Sequence, residues 1–473
     1  MKFVHRGIVA TIIFLLINFS GHSSNKGNGD RPNILLILSD DHSMPYLGCY
    51  GNTDLKTPNL DNLAANGVLF NHAYTTAPQC VPSRASILTG RSVVDIRMSR
   101  FSAPLSRDVL TIPEYLRTSG YFTGICGRHY HLDGSVRKPP QTDEAFEENN
   151  LVTFPDRVEF IKTCPDEQVS ATFSTFLEEV PGGKPFFMWM NFSDPHRRFT
   201  AVEYEPKPSK LKMPASMPDV DQVRKDLSQH YGEIMRLDTH IGQIVNILKE
   251  KSLFENTMIV FMGDNGAALL RGKGTLYDMG LHVPLLVHWP DRIKKPMTSD
   301  AMISGEDIAP TIIASAGLEA AGSITGQSFL PLLTNREYQE NEFVFAARGP
   351  HSSGLPLHTA YFDMSRTVFN KKYKLIYNAV WQQPYAPVDF VNHPMWKKLK
   401  SMHESGGLDE KFSKVLFSHP RAMFELYDLE KDPDEMNNLM GNDGYESIST
   451  ELKTRLHKWM IVNQDHMPLP IAP

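Results

Sequence analysis

The sequence predicts an α/β protein, with a mostly parallel sheet sandwiched by helices and a smaller C-terminal α+β domain carrying a short antiparallel sheet. Three observations carry that expectation. Several apolar runs are continuous rather than alternating, as in strands buried on both faces. One long stretch repeats apolar residues every three or four positions, as a helix crossing over between parallel strands does. Past about residue 335 the runs shorten, the texture of a separate unit.

In chain order, Lys2 and Arg6 precede the apolar run Ile8 to Phe19, and Ser20-Gly21-His22-Ser23-Ser24 follows with small residues. This order predicts a secretory signal over residues 1–24, too short to span a membrane. No cysteine follows it closely, so neither a lipid anchor nor any other stable membrane anchor is expected. The first strand is Asn33 to Leu38, ended by Ser39-Asp40-Asp41-His42. Helices are expected over Leu60 to Leu69 and from Ser86 onward. A second strand, Pro185 to Met190, ends at Asn191-Phe192-Ser193-Asp194-Pro195-His196. Val223, Leu227, Tyr231, Ile234, Leu237, Ile241, Val245 and Leu248 then mark the long crossover helix. A third strand, Met258 to Met262, ends at Gly263-Asp264-Asn265-Gly266, and a fourth covers Pro284 to His288. Polar residues close the first three, and open α/β sheets bind ligands beyond the carboxyl ends of their strands. The larger domain is placed at 25–335 and the C-terminal subdomain at 336–473, with strands at Phe343 to Ala347, Lys374 to Tyr377 and Phe424 to Leu429 and a helix near Ile448 to Val462.

The 473 residues carry a formal charge of −6 and are 41% hydrophobic and 22% charged, ordinary values for a globular chain. Losing the leader removes Lys2 and Arg6 and no acid, so the body is more acidic still. That argues against nucleic-acid partners, which want a basic stripe. An anionic substrate stays open, because a few cations or a metal can dominate one cleft. The cysteines Cys49, Cys80, Cys126 and Cys164 are too few for a disulfide framework, and their pairing is not legible.

The stretch richest in chemistry is Cys80-Val81-Pro82-Ser83-Arg84-Ala85-Ser86-Ile87-Leu88-Thr89-Gly90-Arg91. On its own Cys80 reads as a buried apolar thiol, and the absence of any Cys-x-x-Cys removes the usual redox reading. The stretch resembles the type I sulfatase signature, Cys-x-Pro-Ser-Arg-x-x-x-Leu-Thr-Gly-Arg, at every specified position. The resemblance implies the alkaline phosphatase superfamily and its fold. It also implies that a formylglycine-generating or anaerobic maturation enzyme oxidises Cys80 to 3-oxoalanine (formylglycine). The aldehyde hydrate is a gem-diol: one hydroxyl attacks sulfur, and the other collapses to expel sulfate. A helix starting just after the motif is expected to add its positive end to the site.

Other landmarks stand in family order: Tyr46-Leu47-Gly48-Cys49-Tyr50-Gly51, Thr57-Pro58-Asn59-Leu60-Asp61, Asp307-Ile308-Ala309-Pro310-Thr311 and Glu425-Leu426-Tyr427-Asp428-Leu429. Two acids after one strand and an Asp-Asn pair after another make an all-oxygen set, which suits calcium or magnesium better than zinc. By resemblance Asp40, Asp41, Asp264 and Asn265, with matured Cys80, bind one Ca2+ per chain. Sulfate release further needs positive charge on the sulfate oxygens, a proton for the leaving atom and a base for the gem-diol. The resemblance assigns Arg84 to holding the hydrate and metal ligands, Lys273 to the sulfate and leaving oxygen, His196 to the acid, and His131 to the base.

There are departures. Where many members read Gly-Lys-Trp-His-Leu, this chain reads Gly127-Arg128-His129-Tyr130-His131-Leu132, with Arg128 and His129 as substrate-binding candidates and either histidine open as the base. Asp278-Met279-Gly280-Leu281-His282 stands where Glu-Gly-Gly-x-Arg is common. Asp194-Pro195-His196-Arg197 and Asp363-Met364-Ser365-Arg366-Thr367 are similar to the heparan N-sulfamidase branch and its bacterial relatives on polysaccharides. The implied function is sulfate removal from a sulfated sugar or polysaccharide fragment, such as ulvan or a glycosaminoglycan, outside the cytoplasm in the periplasm or medium. The alternatives are an N-sulfamidase, a phosphate or phosphonate ester hydrolase on the same scaffold, and an inactive carbohydrate-binding protein. Arg97, Arg100, Arg197, Arg198, His351 and His358 are outer-recognition candidates without a motif.

Overall fold

A computed structural model describes residues 31–101, 104–128, 132, 143–149, 151, 154–352 and 355–468. The leader, His129 and His131 lie outside the described residues. The chain runs through β1 (Asn33–Ser39), α1 (Pro58–Ala65), β2 (Val68–Tyr74), α2 (Cys80–Thr89), α3 (Ile112–Thr118), β3 (Phe122–Gly127), α4 (Asp143–Glu148), β4 (Phe160–Lys162), α5 (Val169–Glu179) and β5 (Phe186–Asn191). It continues through α6 (Asp221–Glu250), β6 (Thr257–Gly263), α7 (Asp278–Leu281), β7 (Leu285–His288), β8 (Met297–Ser304), α8 (Ile308–Ser315) and α9 (Leu330–Leu333). The last elements are β9 (Val344–Arg348), β10 (Ser365–Phe369), β11 (Tyr373–Asn378), α10 (Pro394–Glu404), α11 (Glu410–Phe417), β12 (Phe424–Asp428) and α12 (Glu446–Val462).

Eight strands form one sheet in the order β4-β3-β5-β1-β6-β7-β2-β8, and only β7 runs against the rest. The continuous apolar runs follow from burial on both faces. Leu35, Ile37, Met188, Met190, Ile259 and Phe261 pack under α1, α5 and α6. Their neighbours Ile34, Leu36, Phe187, Trp189, Met258 and Val260 pack on the other face, under α2, α3 and α8. The α/β expectation holds.

A separate antiparallel sheet, β12-β11-β10-β9, carries α12 on one face through Val368, Leu375, Leu426, Leu452 and Leu456. Its other face, with Val344, Ala346, Phe369 and Ile376, packs on Tyr74, Leu276, Leu281 and Met302 of the larger unit. All four cysteines are free thiols.

Two element expectations are corrected. The helix expected over Leu60 to Leu69 ends at Ala65; Asn66-Gly67 turns the chain, and Val68 and Leu69 open β2. The motif helix begins at Cys80 itself, not after the motif, and ends at Thr89. Pro82 is its third residue, where the missing N–H would have had no partner in the helix anyway.

Candidate active site

β3, β5, β1 and β6 are consecutive neighbours in the sheet and end flush, with Gly127 and Leu38 both opposite Asn191 and Ser39 opposite Gly263. The residues after each strand therefore converge: Arg128, the Asp194–His196 turn, Asp40-Asp41 and Asp264-Asn265. At Gly127 φ is +80°, and a Cβ would lie 2.0 Å from the Asn191 carbonyl oxygen. Only glycine lets the chain turn there to deliver Arg128. From the side, α2 presents Cys80 at its first turn and Arg84 one turn later on the same face.

Asp40 is the hub. Its Oδ1 lies 3.2 Å from Cys80 Sγ, and its Oδ2 lies 3.0 Å from Arg84 and 2.9 Å from Arg128. Arg84 also donates from Nε to Asp264 Oδ2 at 2.8 Å and to the Arg128 carbonyl at 2.9 Å. Asp264 Oδ1 accepts from the Asp41 and Asn265 amides at 3.0 and 2.7 Å. Lys273 Nζ sits 2.8 and 3.0 Å from the two Asp41 oxygens. His196 Nε2 is 3.8 Å from Asp41 Oδ2. The predicted residues Asp40, Asp41, Cys80, Arg84, Arg128, His196, Asp264, Asn265 and Lys273 thus form one cluster.

Burial sets the charges. It pushes the Cys80 thiol well up, with Asp40 adding to the effect, so the unmodified side chain is a neutral thiol and not a thiolate nucleophile. It likewise pushes Asp41 and Asp264 above the usual carboxylate range. Burial would raise Asp40 too, but Arg128 and Arg84 outweigh it and hold that group well below. His196 is lowered to about 3 by burial, with Lys273 pushing the same way, so its ring is neutral. Its Nδ1 faces the Arg197 carbonyl oxygen, which can only accept, so the ring proton sits on Nδ1. Asp389 and Asp41 keep Lys273 protonated against its burial.

A divalent cation fits this donor set. Asp40, Cys80 and Asp264 place ligand atoms within 4.8 Å of one another, as do Asp40, Asp41 and His196. Asn265 Oδ1 is buried without a protein partner, while its Nδ2 donates to Asp41 Oδ1 at 2.9 Å. Crowded buried carboxylates beside an orphaned carbonyl-type oxygen are what a hard cation neutralises.

Sequence reasoning missed Asp389 altogether. Its Oδ2 is 2.7 Å from Lys273 Nζ and 3.6 Å from His196 Nε2, and His351 stands 3.6 Å from its Oδ1. No motif surrounds Asp389, and only the fold of the C-terminal segment brings it here. Among the outer candidates, Arg197 is tied to Asp226 and stacks over Phe199, whereas Arg198 is exposed along a cleft of about 570 Å³ with Arg128, Asp194, His196 and Arg236. Arg97 and Arg100 line a different cavity, with Pro350 and His466.

A family model described as Sulfatase matches residues 32–318, more than half of the chain. This chain belongs to the sulfatase family. It is a sulfuric ester hydrolase of the alkaline phosphatase superfamily. A second model, the C-terminal domain of N-sulphoglucosamine sulphohydrolase, matches this sulfatase over residues 269–401 and 388–461. An ulvan-active sulfatase of Formosa agariphila is 28% identical over 471 residues, covering 93% of this chain and 76% of that one. The human N-sulphoglucosamine sulphohydrolase is 28% identical over 488 residues, covering 94% and 92%. Among solved structures, BT4656 in complex with its substrate D-glucosamine-2-N,6-O-disulfate shares the fold at a TM-score of 0.68 and 20% identity, covering 93% of this chain and all of that one. The phosphonate monoester hydrolase of Silicibacter pomeroyi shares it at 0.70 and 19%, covering 92% and 96%.

Proposed function

We propose that this sulfatase removes sulfate from a sulfated sugar or polysaccharide fragment, with Cys80 matured to formylglycine and calcium held by Asp40, Asp41, Asp264 and Asn265. The observation that carries the reading is the convergence of four adjacent strand ends and the first turn of α2 on Cys80, with carboxylates on one side and Arg84, Arg128 and Lys273 around it. The ulvan-active, N-sulphoglucosamine and N-acetylglucosamine-6-O-sulfatase relatives support a carbohydrate substrate.

The hydrated aldehyde supplies a nucleophile that regenerates itself, and the calcium supplies charge for the sulfate oxygens. The chain's own residues do the rest. Arg84 ties Asp40 to Asp264 and fixes the cradle; Arg128, bridging to Asp40, adds positive charge for the sulfate oxygens. Lys273 stands protonated and holds positive charge against the sulfate and leaving oxygen. His196 is neutral in the free site and takes up its proton as sulfate brings negative charge. His131, or His129, is the base by sequence. Lys2, Arg6 and the apolar leader support export, and an oxidising maturation enzyme acts before the site is complete. Among the described residues no helix is long and apolar enough to cross a membrane.

Mass spectrometry of the Cys80 peptide from protein made with its maturation enzyme should find 3-oxoalanine. A panel of ulvan oligosaccharides, N-sulfated glucosamine and 6-O-sulfated N-acetylglucosamine should then find turnover on at least one. A plain thiol in protein that desulfates undiminished after Cys80→Ala ends the proposal. The N-sulfamidase reading is supported by the C-terminal model match over residues 269–401 and 388–461 and by the human N-sulphoglucosamine sulphohydrolase relative, and the same panel decides it by comparing N- with O-sulfate.

A further inference from the structure

Asp389 lies in the loop between β11 and α10, far in sequence from every motif of the site. Among the described residues it is the one carboxylate of the cluster that is not fully buried: its side chain is 23% exposed, against 0% for Asp40, Asp41 and Asp264. Its backbone is left-handed at φ +68°, and Val388 and Phe390 on either side are buried, so its place is fixed. His351, which faces it, is in turn held by Gln79, the residue before Cys80, at 3.1 Å and packs on the Phe101 ring.

Its contacts fall on Lys273 and His196, the residues given to the departing atom. Oδ2 is engaged by Lys273, whereas Oδ1 faces the ring nitrogen Nε2 of His351 at 3.6 Å. A carboxylate oxygen can accept two hydrogen bonds, so beside His351 this partly exposed group keeps room for a further donor. A carboxylate beside the sulfate-holding lysine keeps that lysine charged but weakens its grip on an anion, and hydrogen-bond donors brought by the substrate would offset that cost.

We propose that Asp389 is a specificity-determining residue, accepting hydrogen bonds from sugar hydroxyl or amine groups next to the sulfated atom. The proposal rests on the carbohydrate reading above and deepens it.

The test compares Asp389→Asn and Asp389→Ala with wild type on the three sugar sulfates of the panel and on 4-nitrophenyl sulfate, which carries no hydroxyl. The ratio of kcat/KM for sugar over aryl sulfate should fall at least about tenfold in both variants, chiefly through KM, as for loss of a charged hydrogen bond. In a Cys80→Ala background, where no turnover occurs, calorimetric affinity for the same sugar should fall by a similar factor, with unfolding midpoints reported for each protein. Parallel loss on sugar and aryl sulfate, leaving the ratio and the affinity unmoved, assigns Asp389 to Lys273 alone and overturns the inference. A wild type active on the aryl sulfate but on no sugar overturns the carbohydrate reading beneath it.

Discussion

At the residue scale, the site is a problem of compensating buried negative charge. Asp40, Asp41 and Asp264 are fully buried within reach of one another, and Arg84, Arg128 and Lys273 answer them from outside. What they leave unanswered is the Cys80-facing side and the orphaned Asn265 oxygen. Binding of a calcium ion should therefore stabilise the fold as well as serve turnover. At free calcium about a hundredfold over its dissociation constant, mass action contributes about 2.7 kcal/mol. For a chain of this size that is roughly 2–4 °C. Treatment with a chelator should lower the unfolding midpoint of the Cys80→Ala protein by that order, and calcium should restore it; a midpoint that ignores both removes the metal assignment. Arg84→Lys tests the cradle separately. Lysine keeps the charge but cannot bridge Asp40 and Asp264 with a rigid fork. The expected loss is about 1–3 kcal/mol of stability and about a hundredfold in kcat per formylglycine, the latter normalised by mass spectrometry because Arg84 is also part of the motif the maturation enzyme reads.

At the element scale, α2 decides whether Cys80 and Arg84 share a face, and it ends where Gly90 adopts a left-handed backbone at φ +67°. A Cβ there would lie 3.0 Å from both Pro310 Cδ and Ile324 Cγ2. Gly90→Val combines a disfavoured backbone with that crowding and should cost about 1–3 kcal/mol, read as a lowered midpoint, with activity falling as the helix shifts. The same helix shows what the sequence could and could not reveal. Its signature named Cys80 and Arg84, yet the helix start was placed too late, because Pro82 reads as a breaker until it is counted within the first turn. β1, β5 and β6 were legible because both faces are apolar. β2 was not: Asn71 and His72 interrupt it, and its first residues continue the apolar spacing of α1. The reversed direction of β7 leaves no local mark, since it is fixed by pairing with β6 and β2. Asp389 was invisible for a related reason, as its contacts with Lys273 and His196 exist only after the chain has folded back.

At the scale of the whole molecule, the smaller sheet is tied to the larger unit by a buried ionic knot. Lys374 on β11, with no exposed side-chain surface, reaches Asp278 of α7 and Glu435 after β12, the latter at 3.0 Å. Burial would raise Asp278, but Lys374 and His282 outweigh it and hold the group below the ordinary carboxylate range. Glu435 is pushed up to about 7, by burial first and by Asp278 as well, although Lys374 pulls it down. For Asp278 the sign is clear: its folded value is depressed, so its contribution is present above the unfolded value of 3.8 and is lost as pH falls through the folded one. Lys374→Met inverts this. Buried Glu435 and half-buried Asp278 then both lose the lysine, both are driven upward, and a raised carboxyl favours the fold at low pH and disfavours it as pH rises. The variant should lose about 3–5 kcal/mol at pH 8, where the orphaned acids are forced to ionise. It should recover part of this at pH 5, where they are protonated, so the gap in unfolding midpoint from wild type widens steadily between those values. A gap independent of pH would mean that the contact of Lys374 Nζ with the Phe369 ring, and not the ionisation of the two acids, is what joins the two sheets.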